Sequence, residues 1–246
     1  MNKCANDFFL GLVVCLIFAS SARAEAIYHE KFYPDGSGPF PAVIVLHSSG
    51  GFEKVKPRIQ QYVDDGFVVY APNFFVKHSI TRSNRMETFD SIREAIEKDL
   101  SKIVFLMGSD PKVQKDNIFA TGFSNGGFWV GYLTGTSKVS AGVSHFGVWK
   151  ANWGREMTNP YPMKYFSKSS TPILALHGDD DGTQKLKFAE EAWDELKSRG
   201  ATLETHVYSG VGHAWDVKNH RRYVYNESAA KDSHKRTIEF FKKYLK

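Results

Sequence analysis

The sequence predicts an α/β fold: a single domain built on a mostly parallel, twisted sheet with helices on both faces. Three observations lead there. Short β-branched apolar runs alternate with amphipathic stretches along nearly the whole chain, the pattern of a sheet whose strands are joined by helical crossovers. Runs such as Ala42–His47 (AVIVLH) are apolar at consecutive positions from Ala42 to Leu46, not at every second one, as in a strand covered on both faces. At 246 residues, 42% hydrophobic and 24% charged, the chain can bury a core of its own without a metal or a disulfide.

The elements follow in order. After the strand Ala42–His47, residues Glu53–Asp65 read as a helix, and Phe67–Ala71 (FVVYA) as a second buried strand ended by Pro72. Phe89–Met107 carries Ile92, Ile96, Leu100, Ile103 and Met107 at helical spacing. Asn117–Thr121 is a strand, Gly127–Leu133 a helix, and Ala141–His145 and Pro172–His177 are strands. Thr183–Arg199 is an amphipathic helix stopped by Gly200. Leu203–Tyr208 is a strand and Ser228–Leu245 a closing helix. Between 146 and 170 there is room for a loop or small cap, not a second domain.

The first residues stand apart. Lys3 precedes an apolar run from Phe8 to Ala19, and small residues lead to Ala22-Arg23-Ala24. This is the layout of a secretory signal peptide with an A-x-A cleavage site. The expectation is therefore a signal peptide over 1–24, a domain over 25–246, and an exported protein, periplasmic or secreted. The alternative is an uncleaved anchor, but a run of about 12 residues is short for a bilayer. Valines before Cys15 are poor neighbours for lipid attachment. Cys4 and Cys15 both fall in this segment, so the domain itself has no disulfide, no cysteine nucleophile and no thiolate metal site. The formal charge of +5 drops to +4 without Lys3, Arg23 and Asp7. Lysines and arginines are spread along the chain, which argues against nucleic acid as a partner, and no other stretch is long and apolar enough to span a membrane.

Parallel sheets bind ligands at the carboxyl ends of their strands, so the residues just past each strand carry the chemistry. Past Thr121 comes GFSNGG, residues 122–127. It fits G-x-S-x-G, in which a serine sits on a tight strand-to-helix turn and the next backbone N–H, here that of Asn125, faces the oxyanion. Past His177 comes Gly178-Asp179-Asp180-Asp181-Gly182. The run lacks the alternating spacing of a calcium loop, and one of its three aspartates could orient a histidine. Past Tyr208 comes SGVGHAW, with His213 between small neighbours. The order Ser124, an aspartate at 179–181, then His213 is that of a nucleophile, an orienting acid and a general base along a hydrolase chain.

On these stretches the sequence resembles the dienelactone hydrolase family of α/β-hydrolases. VIVLHSSGGF (43–52), YAPNFF (70–75), GFSNGG (122–127), LALHGDDDG (174–182) and YSGVGHAW (208–215) come in the family's order and span most of the chain. The resemblance implies the α/β-hydrolase fold, Ser124, Asp181 and His213 as catalytic residues, and no cofactor or metal. It implies Ser49, with Ser48 next, as the second oxyanion donor beside Asn125. Two departures matter. The founding members carry a cysteine where this chain has Ser124, and a thiol-tuning glutamate at the position matching Ser48. The reaction class carries over, while the dienelactone substrate does not follow.

The expected function is hydrolysis of carboxylic esters or lactones of small molecules through an acyl-enzyme. Phe75, Arg82, His145, Trp149 and Trp215 stand near strand ends as candidate substrate contacts, and Lys77, His78, Arg82 and Arg85 make the loop 73–87 basic. The alternatives are a peptidase or amidase on the same scaffold, or a non-catalytic binding protein that retains it.

Overall fold

The computed structural model describes residues 28–152 and 155–246, with the side chains of Ala151 and Asn152 left aside. The expected signal peptide, both cysteines and Trp153 lie outside the described residues.

A seven-stranded sheet runs through the molecule in the order β1-β3-β2-β4-β5-β8-β9. Its strands are β1 (His29–Phe32), β2 (Phe40–Leu46), β3 (Val68–Pro72), β4 (Val113–Phe123), β5 (Ala141–His145), β8 (Ile173–Gly178) and β9 (Leu203–Tyr208). Only β1 is antiparallel, paired with β3 at the edge; the remaining neighbours are parallel. A two-stranded hairpin, β6 (Ala151–Asn152) and β7 (Arg155–Glu156), stands apart from the sheet.

Alternation across the pleat, with both faces covered, explains why β2 is apolar at every position. In β2, Ala42, Ile44 and Leu46 enter one core cluster and Val43 and Val45 the other. The first cluster is closed by α2 (Arg93–Gly108), α3 (Asn125–Gly135) and α4 (Leu186–Ser198), the second by α1 (Lys56–Asp64) and α5 (Glu227–Lys243). All eleven residues of α3 are buried, so this helix is apolar around its whole circumference, unlike the amphipathic α4 and α5.

The helix expected over Glu53–Asp65 divides into a 3-10 turn at Phe52–Lys54 and α1. That expected from Phe89 begins at Arg93, because Arg85–Phe89 forms its own 3-10 turn. The strands expected at Ala141–His145 and Leu203–Tyr208 have those ends. No helix among the described residues is long and apolar enough to cross a membrane.

Candidate active site

Strand β4 ends at Phe123, and Ser124 turns the chain directly into α3. Its φ of 53° and ψ of −108° lie where L-residues are strained. Neighbouring backbone holds it there. The Ser124 N–H donates to the His145 carbonyl at the end of β5 (2.9 Å), and the Ser124 carbonyl accepts from Gly127 (2.9 Å) and Val148 (3.1 Å). The flanking glycines leave room for the turn: a Cβ on Gly122 would collide with the Gly126 carbonyl, and one on Gly126 with the carbonyl of Leu46 in β2. The turn is thus wedged between three strands.

The loops after β8 and β9 meet in front of it. Asp179 N–H donates to the Tyr208 carbonyl and Asp180 N–H to that of Val211, both at 3.1 Å, while Gly210 N–H donates to Asp179 Oδ1 at 2.6 Å. This zipper turns Asp181 inward, where it is 2% exposed. His213 Nδ1–H donates to Asp181 Oδ2 (2.7 Å), and the Ser124 hydroxyl faces His213 Nε2 at 3.0 Å. Burial alone would raise the Asp181 carboxyl. The hydrogen bond and charge of His213, with backbone N–H donors, outweigh burial and hold it below the usual carboxylate range. Those donors are Thr183 N–H (2.8 Å) and Gln184 N–H (2.7 Å), both on Oδ1. Behind them His177, fully buried, donates from Nε2 to the Gln184 carbonyl (2.6 Å), and burial lowers its pKa. A hydroxyl, an imidazole and an ionised carboxylate in series can pass the hydroxyl proton to the ring and stabilise the resulting charge.

Asn125 opens α3, so its N–H has no acceptor within the helix. Its side chain is buried and fixed, accepting from Trp129 Nε1 (3.1 Å) and donating to Thr88 Oγ1 (3.0 Å). In the loop after β2, Gly51 N–H donates to the Ser48 carbonyl (3.0 Å) and Gly50 N–H to Ser48 Oγ (3.1 Å). The Ser49 N–H has no acceptor among the described residues. Ser48, Ser49, Ser124 and His213 line one cavity of about 750 Å³.

The same cavity is lined by Phe75 and Arg82 but not by His145, Trp149 or Trp215. His145 is buried behind Phe123, stacked on that ring at 4.7 Å. Trp215 is fully buried against Phe146 and Tyr208, and Trp149 is 2% exposed in the core under α3. Their strand-end positions are as expected, yet their side chains turn into the core. The basic loop splits similarly. Lys77 and His78 pair with Asp99 of α2 at 2.6 and 2.8 Å, leaving Arg82 and Arg85 on the cavity wall. Arg85 is lowered by burial and by Arg82 beside it. A second basic segment, which the sequence pattern does not point to, lines the cavity too, with Lys218, His220, Arg221, Arg222 and Tyr223, and no Asp or Glu does. The signal was present as KNHRRY, five residues past His213, but its irregular backbone offered no periodicity to place it. Behind Phe123 and the Arg58–Asp216 ion pair lies another cavity of about 750 Å³, which His145 does line.

A mostly parallel sheet with a strained serine on the turn between its central strand and a buried helix defines the α/β-hydrolase class. Residues 30–245 match the Dienelactone hydrolase family, and the chain belongs to it; it is a hydrolase acting on ester bonds. It is 26% identical over 228 residues to the protein usf of Aquifex pyrophilus, covering 83% of this chain and 89% of that one. A protein of Escherichia coli (strain K12), named as a candidate carboxymethylenebutenolidase, is 24% identical over 237 residues, 88% of this chain and 82% of its own. Dipeptidyl-peptidase 5 of Porphyromonas gingivalis matches at 26% over 220 residues, which is 73% of this chain but 31% of that longer protein. Among solved structures, that of a candidate dienelactone hydrolase from Klebsiella pneumoniae superposes with a TM-score of 0.70 at 19% identity, covering 89% of this chain and all of its own; that likeness is one of fold.

Proposed function

We propose that the chain is an exported serine hydrolase that cleaves carboxylic esters or lactones of small molecules, with Ser124 as nucleophile, His213 as general base and Asp181 as the acid that orients it. The reading rests above all on His213, which bridges Ser124 Oγ at 3.0 Å and Asp181 Oδ2 at 2.7 Å. His213 takes the hydroxyl proton as Ser124 Oγ bonds to the carbonyl carbon. The N–H groups of Asn125 and Ser49, with Ser48 next, receive the oxyanion. On collapse the proton passes from His213 to the leaving alcohol, leaving an acyl-Ser124. Water, deprotonated by His213, then releases the acid. Each oxyanion donor contributes on the order of 3 kcal/mol in enzymes of this chemistry.

The wall holding Arg82, Arg85 and the 218–222 segment without a carboxylate favours esters that carry a negative charge away from the scissile bond. Export is supported by the A-x-A pattern at 22–24. A peptidase reading draws on the name of the longer Porphyromonas relative.

Assay with p-nitrophenyl acetate, longer acyl esters and matched anilides separates the readings. Wild type is expected to hydrolyse the esters and to form a fluorophosphonate adduct mapped to Ser124 by mass spectrometry. Ser124→Ala is expected to lose both, with a rate loss on the order of 10⁶. Equal rates for wild type and Ser124→Ala would sink the mechanism, and faster cleavage of anilides than esters would favour the peptidase.

A further inference from the structure

His47 follows β2 directly and is completely buried. Its ring stacks on Phe74 (4.0 Å, 10°) and meets Phe75 edge-on (4.6 Å). Burial pushes its pKa down to about 4, so near neutrality the ring carries a single N–H. Nδ1 lies 2.8 Å from the Ser48 carbonyl oxygen, an acceptor only, so the proton is on Nδ1. Nε2 is therefore a bare acceptor, and it has no partner among the described residues.

This is a costly way to fill an aromatic pocket. A phenylalanine would stack on Phe74 and Phe75 without stranding a buried nitrogen. The one polar contact that histidine supplies here is the bond to the Ser48 carbonyl. That carbonyl belongs to the same planar trans peptide as the Ser49 N–H, and in such a unit C=O and N–H point in opposite directions. Two donors grip the oxygen, His47 Nδ1–H at 2.8 Å and Gly51 N–H at 3.0 Å. Fixing the carbonyl fixes the direction in which the Ser49 N–H points, and that N–H has no internal acceptor to hold it otherwise.

We infer that His47 is a positioning residue for ester hydrolysis: its Nδ1–H anchors the Ser48–Ser49 peptide so that the Ser49 N–H is held ready for the oxyanion. The inference rests on the proposed reading of Ser124 and Ser49. It gives the loop a defined division of labour. Gly51 closes the turn, and His47 sets the plane of the peptide from the buried side. A donor already aimed at the position where charge develops needs no reorganisation during the reaction, whereas a peptide held by Gly51 alone can swing about its flanking bonds.

The test compares His47→Phe, which keeps the ring packing and removes the donor, with His47→Asn, whose Nδ2 can take the place of Nδ1. For p-nitrophenyl acetate, His47→Phe is expected to lose about 10- to 100-fold in kcat, part of the effect of deleting an oxyanion donor. KM should stay within about twofold, and Tm should equal or exceed that of wild type, since the stranded nitrogen is gone. His47→Asn should recover most of kcat although it packs less well. Wild-type kcat in His47→Phe, or equal losses in the two variants, overturns the inference, the latter by showing that the ring matters only for packing. Labelling of wild-type Ser124 by the fluorophosphonate is read in parallel. Labelling with an undiminished His47→Phe overturns the role of His47 alone; absence of labelling overturns it together with the catalytic reading.

Discussion

The corner around Ser124 and the rim of the cavity are built in opposite ways. The corner is made of backbone: strand ends, glycines with no room for a Cβ, carbonyls held by N–H groups, and the buried imidazoles of His47 and His177 each donating to a loop carbonyl. The rim is made of side chains on irregular segments, with Arg82 and Arg85 from one and Lys218, Arg221 and Arg222 from the other. The contrast assigns different work to each. Geometry for a reaction must hold to fractions of an ångström, which buried backbone provides. Selection among substrates needs only charge and shape, which exposed side chains supply and can change without disturbing the corner.

The contrast can be broken most forcefully at Asp181. Asp181→Asn keeps the size of the side chain but loses its charge, and with Oδ1 accepting from the Thr183 and Gln184 N–H groups it turns an NH2 donor toward His213 Nδ1. A kcat loss on the order of 10⁴ is expected, with little change in KM. A loss below tenfold, measured on p-nitrophenyl acetate, would show that the carboxylate is not part of the chemistry.

The buried imidazoles make the next largest prediction, one of stability. His47 and His145 are lowered from the ordinary histidine value to about 4 and about 3, in both cases chiefly by burial. Their unfolded forms take up protons near pH 6.5 while the folded forms do not. The stability they confer is therefore complete above about pH 6.5 and declines as pH falls toward the folded values. At pH 4.5, about two units below the unfolded value, each should cost about 3 kcal/mol. Urea midpoints measured at pH 7 and 4.5 test this: they should drop steeply in wild type and less in His145→Phe. Coincident midpoints for wild type would contradict the burial of neutral rings.

The rim gives the smallest effect and sharpens the contrast. Arg82→Ala should lower kcat/KM for mono-p-nitrophenyl succinate about fivefold relative to p-nitrophenyl acetate, as for a partly exposed ion pair, and added salt should shrink the ratio. An unchanged ratio would detach the basic wall from substrate choice.

How much of this was legible in the sequence follows the same division. Strand β5 could be read to the residue because a buried run bounded by turn residues marks an inner strand, and the mostly exposed edge strand β9 (LETHVY) because Thr205, Val207 and Tyr208 favour strand and Gly200 and Ser209-Gly210 bound it. Strand β1 (HEKF) was not, since an edge strand that is half exposed, with charges at two of four positions, carries no apolar pattern. The two-residue strands β6 and β7 are too short for any periodicity. Ser124, Asp181 and His213 stood out because a parallel sheet collects its strand ends on one side. The side-chain directions of His145, Trp149 and Trp215 did not, because an aromatic residue after a strand reads alike whether it faces core or cavity. The 218–222 segment follows His213 closely, but its irregular backbone gives no pattern that tells which way it faces. His47 lies within VIVLHSSGGF, yet its bond to the Ser48 carbonyl has no counterpart in spacing.

The glycines at 122 and 126 bear on how such a hydrolase can diversify. Their contacts are with the Gly126 and Leu46 carbonyls, atoms every residue possesses. The support under position 124 is consequently indifferent to what projects from its Cα. The tight turn therefore constrains the residues at 122 and 126, while the side chain at 124, the proposed nucleophile, is left to be set by what surrounds it in the cavity.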